Sequence, residues 1–312
     1  MLSRTAEYLY WTGRYVERAE SLARIMDVSQ RLAVQGRSRT SQANEWVAVL
    51  DILCAEALYA ETRGEVTQDG VVKFVTLDPA NPSSIYSCIK SARENARALR
   101  ATLSVEMWES LNTTWLAVRD LDEVGLQARG QRDFFDWIKE RSHLFRGVAY
   151  GTMLHNDAYS FIRLGTFLER ADNTARLLDT KFHILADGGD NDPAANYYEW
   201  GAVLRSVGAF RAYHQVFHDL ITPNQVAELL VLRPEMPRSL RYCFDQLTRM
   251  LEALAEGRRL ECARLSGEFA ARLRYGQMDR IFGDGLHAFL MDVLDRIAEL
   301  SKQISEDFLM AV

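Results

Sequence analysis

Apolar positions recur along most of this chain at spacings of three and four, the mark of helices that bury one face. One long helix is expected over residues 3 to 35, with Tyr15, Ala19, Leu22 and Met26 on a single face. A second covers about 41 to 62 and ends at Arg63-Gly64. Val71 to Leu77 has no strand partner nearby and reads as helical or irregular. Ser83 or Ser84 caps a helix reaching about residue 100, and another runs from about 103 to 121 before the Gly125 to Gly130 stretch. Further helices are expected near 132–153, 157–186, 195–219, 237–256, 258–274 and 286–309. Thr222-Pro223 opens a short one ending near 231, and Asp187 to Pro193 is a loop.

The second half repeats the first. Gly13 to Asp27 reads GRYVERAESLARIMD, and Gly165 to Asp179 reads GTFLERADNTARLLD, identical at seven of 15 positions and offset by 152. EWVAVL from Glu45 matches EWGAVL from Glu199 at an offset of 154. LDPANPSS from Leu77 matches LRPEMPRS from Leu232 at 155, an offset that Cys88 and Cys243 share. Three blocks in the same order imply two tandem, diverged units, 1–155 and 156–312. No Gly/Ser- or Pro-rich linker parts them, so an all-α, single fused helical bundle with pseudo-two-fold symmetry is expected.

Composition fits this picture: 48% of residues are apolar and 26% charged, with only 6 prolines and 18 glycines. A net charge of −6 argues against a nucleic-acid binder. The start, MLSRTAE, meets charge at once, and no apolar run approaches the roughly 20 residues of a membrane span. Cys54, Cys88, Cys243 and Cys262 show no CxxC spacing, so buried thiols in a reduced, cytoplasmic setting are expected, with no membrane association.

The charged positions carry the candidate chemistry. Glu17, Glu20, Arg24 and Asp27 fall within about 80° of one another on a helical wheel, and Glu169, Asp172, Arg176 and Asp179 repeat the arrangement. One reading is a solvated face of i, i+4 ion pairs. The other follows from the repeat, which keeps Glu-Arg-Ala and Ala-Arg while neighbouring residues change: a partly buried Glu/Arg network where the two long helices meet. Arg93, Arg97 and Arg100 form a basic stripe at i, i+4 and i+7, and the matching helix near Thr248 to Glu252 lacks it. Such a stripe either pairs with neighbouring acids or clamps a phosphate or carboxylate. The Glu-x-x-His of di-iron bundles is absent from the two charged helices, and His214 and His218 at i, i+4 lack the zinc-hydrolase Glu, so no metal ligands are assigned. Phosphate loops and nucleophile elbows are absent. Trp108 and Trp115 read as core.

The pieces LSRTAEYLYWTGRYVERAE, NPSSIYSCIKSARENARALR, EMWESLN and LGTFLERADNTARLLD together resemble the bacterial Alpha-E family of all-helical proteins, over essentially the whole chain. The motif positions carried over are Arg14, Glu17, Arg18, Glu20, Arg24, Arg93, Glu94, Asn95, Arg97, Arg100, Glu106, Trp108, Asn112, Glu169, Arg170, Asp172 and Arg176. Thr166 departs from the pattern, standing where an Arg would match Arg14. The resemblance implies work beside a circularly permuted ATP-grasp ligase in an amide- or peptide-bond-forming pathway, with ATP and Mg supplied through that partner and an oligomer left open.

The expectation drawn from it is a pocket for a small amine or amino-acid/peptide substrate. There Glu17, Glu20, Glu169 and Asp172 take the catalytic roles, and the other motif residues bind substrate. The alternatives are a non-catalytic scaffold docking the ligase, and a metal-dependent hydrolase bundle.

Overall fold

In the computed structural model, residues 1–35, 39–187 and 193–309 are described, and among them the chain is helical with no strand. The first half holds α1 (Ser3–Gln35), α2 (Arg39–Ile52), α3 (Glu56–Arg63), α4 (Gln68–Thr76), α5 (Ile85–Ala98), α6 (Val105–Arg119), α7 (Glu123–Arg129) and α8 (Gln131–Thr152). The second holds α9 (Asp157–Asp187), α10 (Pro193–Ser206), α11 (Phe210–Phe217), α12 (Pro223–Val231), α13 (Leu240–Ala255), α14 (Glu261–Arg274), α15 (Met278–Asp284) and α16 (Leu286–Ile304), closing with a π-helical turn at Ser305–Leu309. Helix lengths run in the same order through both halves: 33 and 31 residues for α1 and α9, 14 for α2 and α10, 8 for α3 and α11, 9 for α4 and α12.

The same side-chain chemistry starts corresponding helices. Ser84 accepts from Ser87 N at the head of α5, and Ser239 from Tyr242 N at the head of α13. Thr67 accepts from Gly70 N to cap α4, and Thr222 from Gln225 N to cap α12, with Pro223 at its first position.

Three expectations need correction. Residues 41 to 62 form two helices, because Cys54 takes a left-handed φ of 49° and closes α2. Its N–H donates to Asp51 O and that of Ala55 to Leu50 O, a Schellman ending. The span 195–219 breaks in the same way at Gly208, where Gly208 N–H donates to Arg205 O and Ala209 N–H to Leu204 O. Val71 to Leu77, read as helical or irregular, is helical up to Thr76, since α4 buries Val71, Val72, Phe74 and Val75. The short α7 and α15 occupy stretches where no helix was expected. Of the loop expected at Asp187 to Pro193, residues 188–192 lie outside the described residues.

At the centre, α1 and α9 run side by side in the same direction: Gly13 meets Ile162, Arg18 meets Glu169, and Ser29 and Lys181 share Glu45. Two glycines set their separation. A Cβ on Gly13 would lie well inside contact distance of Ile162 O, and one on Gly165 would do the same to Tyr10 O. Around this pair, α5 and α8 pack on α1, and α13 and α16 pack on α9. The outer helices α6 and α14 then close over α5 and α13. One continuous apolar core results, running from Leu9 and Tyr10 through Phe134 and Leu168 to Phe244 and Leu290.

Candidate functional site

The Glu17-Arg18 and Glu169-Arg170 dipeptides sit in the seam between α1 and α9, and they cross. Arg170 Nε and Nη2 donate to Glu17 Oε1 and Oε2 at 2.9 and 2.8 Å. In return, Arg18 Nε and Nη2 donate to Glu169 Oε1 and Oε2 at 2.6 and 3.0 Å. Each glutamate thus receives a fork of two parallel bonds, the strongest neutralising geometry available to a carboxylate.

Around this cross the two halves differ. On the α9 side, Arg14 Nε adds a third bond to Glu169 at 2.7 Å, while its Nη1 reaches Tyr10 OH and Ser301 Oγ of α16. Thr166, at the position matching Arg14, spends its hydroxyl on Ile162 O instead. On the α1 side the additional cations come from elsewhere. Arg238, just ahead of α13, donates to Glu17 Oε1 at 2.8 Å and to Glu20 Oε1 at 2.7 Å. Arg146 of α8 donates to Glu17 Oε2 at 3.0 Å and lies against Glu20 Oε2 outside hydrogen-bonding geometry. Arg24 Nε donates to Glu20 Oε1 at 2.7 Å, and the matching Arg176 takes Asp172 with two bonds. Seven arginines therefore face four carboxylates.

Glu17 and Glu20 have no exposed surface and Glu169 only 3%. Burial pushes the Glu169 carboxyl up, but Arg14 and Arg18 overcome it and hold it at about 2. Burial opposes ionisation of Glu17 and Glu20 as well. For Glu17 it is overridden chiefly by Arg170, Arg238 and Arg146, and for Glu20 chiefly by Arg238, the His143 hydrogen bond and Arg146, so both stay below the ordinary glutamate range. A carboxylate held this low is a poor proton acceptor near neutrality. Asp172 is less enclosed, at the edge of the seam with Arg176, whose Nη1 also contacts Cys54 Sγ at 2.8 Å.

The remaining sequence candidates gather elsewhere. Arg93 donates to Asn112 Oδ1 and to Glu94 Oε1, and Arg97 pairs with Glu94. The half-buried Trp108 ring lies between two guanidiniums, Arg93 at 5.3 Å and Arg100 at 5.0 Å from its centroid. Asn95 is half-buried on α5 and Glu106 is exposed in the first turn of α6. The stripe does not meet Glu17 or Glu169, because α5 turns Ile85, Cys88, Ile89 and Ala92 into the interior and carries its arginines away from α1.

Arg146, Arg238 and His143 join the network unannounced by the sequence. Ser83, at the position that matches Arg238 in the sequence, accepts from Arg18. A second buried pair, Lys181 with Glu45 at 2.6 Å, lies further along the seam, with Ser29 donating to the same glutamate. Among the described residues no group of three His, Cys, Asp or Glu stands close enough to hold a metal.

A family model described as "a predicted alpha-helical domain with a conserved ER motif" matches residues 1–309. The chain belongs to the Alpha-E family. In this Alpha-E member, Glu17-Arg18 and Glu169-Arg170 are the Glu-Arg steps that form the cross. Uncharacterized proteins of Mycobacterium bovis and Mycobacterium tuberculosis are 24% identical to it over 319 residues, covering 96% of this chain and 35% of their own length. The chain thus spans about a third of the curated relatives it matches. No solved structure matches it. No helix among the described residues is long and apolar enough to cross a membrane.

Proposed function

We propose that this Alpha-E chain is a non-catalytic helical module that docks and supports an ATP-grasp ligase in an amide-bond-forming pathway. The observation that carries the reading is the closed state of the Glu/Arg seam. Glu17 and Glu169, the carboxylates best placed by sequence to act as bases, are each locked by at least two guanidiniums, and cavities of about 500 and 250 Å³ are lined by other residues. A buried network of this kind fixes how two helices register. The mycobacterial relatives support the reading too, since there the matching segment is part of a much longer chain.

The matched helix lengths, the paired caps and the reciprocal contacts of Gly13 with Ile162 and Gly165 with Tyr10 support an origin by duplication. They also favour a pseudo-two-fold axis between α1 and α9, with units 1–155 and 156–312. In that frame the Arg93–Trp108–Arg100 face is the docking surface. The second half builds the same α13–α14 hairpin with Thr248, Glu252, Ala255 and Ala263 at the matching positions, so the fold does not require the basic stripe.

The test is reconstitution with an ATP-grasp ligase from the same source. The ligase should bind this chain and need it for full output, and the R93A/R97A/R100A variant should fold yet fail to bind. A ligase that neither binds the chain nor changes its output in its presence overturns the proposal.

A further inference from the structure

A cavity of about 250 Å³ opens where α1 passes the α10–α11 turn, and arginines dominate it. Arg31, Arg205 and Arg211 line it against a single acid, Asp27, which is already taken by Arg31 and by Lys139. Among the described residues, two guanidiniums are left without an acid there, in a chain of net charge −6. Neither Arg205 nor Arg211 has a carboxylate partner among the described residues. Arg205 is held instead by stacking, its guanidinium 4.1 Å from the Phe210 ring centroid, which orients the fork and spends none of its N–H donors on a carboxylate. Like charges gathered without an answering acid cost stability unless an anion completes them.

The corresponding corner of the first half shows that the fold does not demand these arginines. The turns at Cys54 and Gly208 have the same pair of hydrogen bonds, and each places a left-handed residue at the same point, Cys54 in one and Gly208 in the other. Arg176 contacts the first turn through Cys54 Sγ, as Arg24 contacts the second, its Nη1 3.3 Å from where a Cβ on Gly208 would stand. Asp51 stands where Arg205 does, Glu56 where Phe210 does and Ala57 where Arg211 does. One scaffold thus carries an acidic corner and a basic one. A glycine at 208 also leaves backbone open beside the arginines.

We propose that this basic corner is a binding site for a small anionic molecule, gripped through phosphate or carboxylate oxygens by Arg31, Arg205 and Arg211. The cavity is larger than a bare phosphate needs and admits a compact body carrying the anionic group. Arg24 runs from this turn to Glu20, so a bound anion sits one side chain away from the Glu/Arg seam. The site is independent of the docking role and of the Arg93 stripe, which lies on α5.

Isothermal titration of the full chain at low salt decides it, with pyrophosphate and citrate as probes and sodium chloride at matched ionic strength as the control. The wild type should bind at least one probe saturably. Phosphate chemistry is assigned if pyrophosphate is preferred and carboxylate chemistry if citrate is. R205A/R211A should weaken binding about tenfold or more, while R97A/R100A leaves it unchanged. If losing the Phe210 stack unsettles the double variant, R211A alone, at an exposed position, should still weaken binding measurably. No saturable binding by the wild type, full binding by R205A/R211A and R211A, or loss of binding in R97A/R100A instead, would each overturn the site.

Discussion

Glu17 and Arg170, 153 residues apart in sequence, are joined by two hydrogen bonds of 2.9 and 2.8 Å in the buried seam between α1 and α9. One residue further on, Arg18 makes the same fork with Glu169. The cross ties the two longest helices through opposite charges that neither helix can satisfy alone, and this sets what its disruption should do.

Removing one charge leaves its partners buried and unanswered. Glu169→Gln strands Arg14 and Arg18 and should destabilise the protein by about 3–5 kcal/mol. Arg97→Ala, at an exposed position, should stay within about 0.5 kcal/mol of wild type. Urea unfolding followed by circular dichroism measures both.

Backbone contact at the helix crossing makes a sharper contrast. Gly13→Ala and Gly165→Ala place a methyl against Ile162 O and Tyr10 O and must push α1 and α9 apart, which should lower stability by several kcal/mol. Gly147→Ala in α8, where a Cβ meets nothing within 4 Å, should instead raise it by about 0.5–1 kcal/mol. Equal effects at the three sites would mean that the glycines do not set the helix separation.

Acid should loosen the seam. The buried glutamates titrate below their ordinary 4.5 when folded, so their contribution is complete above that value and is lost as pH falls toward about 2. Glu169 alone accounts for on the order of 3 kcal/mol across that window. Stability measured from pH 6 to 2.5 should decline, and the decline should be shallower in Glu169→Gln.

The thiols should differ in accessibility. Burial pushes Cys88 and Cys243 up to about 12 and encloses both, and Cys262 is buried too, whereas Cys54 is exposed at the α2–α3 turn. Alkylation of the native protein, read by peptide mass mapping, should label Cys54 first and the other three only on unfolding.

What the sequence disclosed follows from what a repeat and a period contain. The GRYVERAESLARIMD and GTFLERADNTARLLD blocks pointed to two like helices and to a Glu/Arg seam, because charged positions that two similar blocks share point to a common constraint. Periodicity says which residues share a face but not which helix lies opposite. The Arg93 stripe was therefore expected beside Glu17, when Ile85 and Cys88 turn it outward. Arg146 and Arg238 arrive from α8 and the segment before α13, and no local pattern links them to Glu17. The break at Cys54 was invisible because cysteine is an unusual left-handed residue, yet Gly208 at the matching turn offered the ordinary signal.

A Glu-Arg cross that is structural, in a module that works by docking, leaves chemistry to the ligase. Product formed per folded molecule, by Glu169→Gln in the reconstituted ligase system, tests it most directly. Output equal to wild type, once the folded fraction is matched by temperature or urea, is the predicted result. A fully folded variant whose output collapses would contradict it and return the seam to the status of an active site.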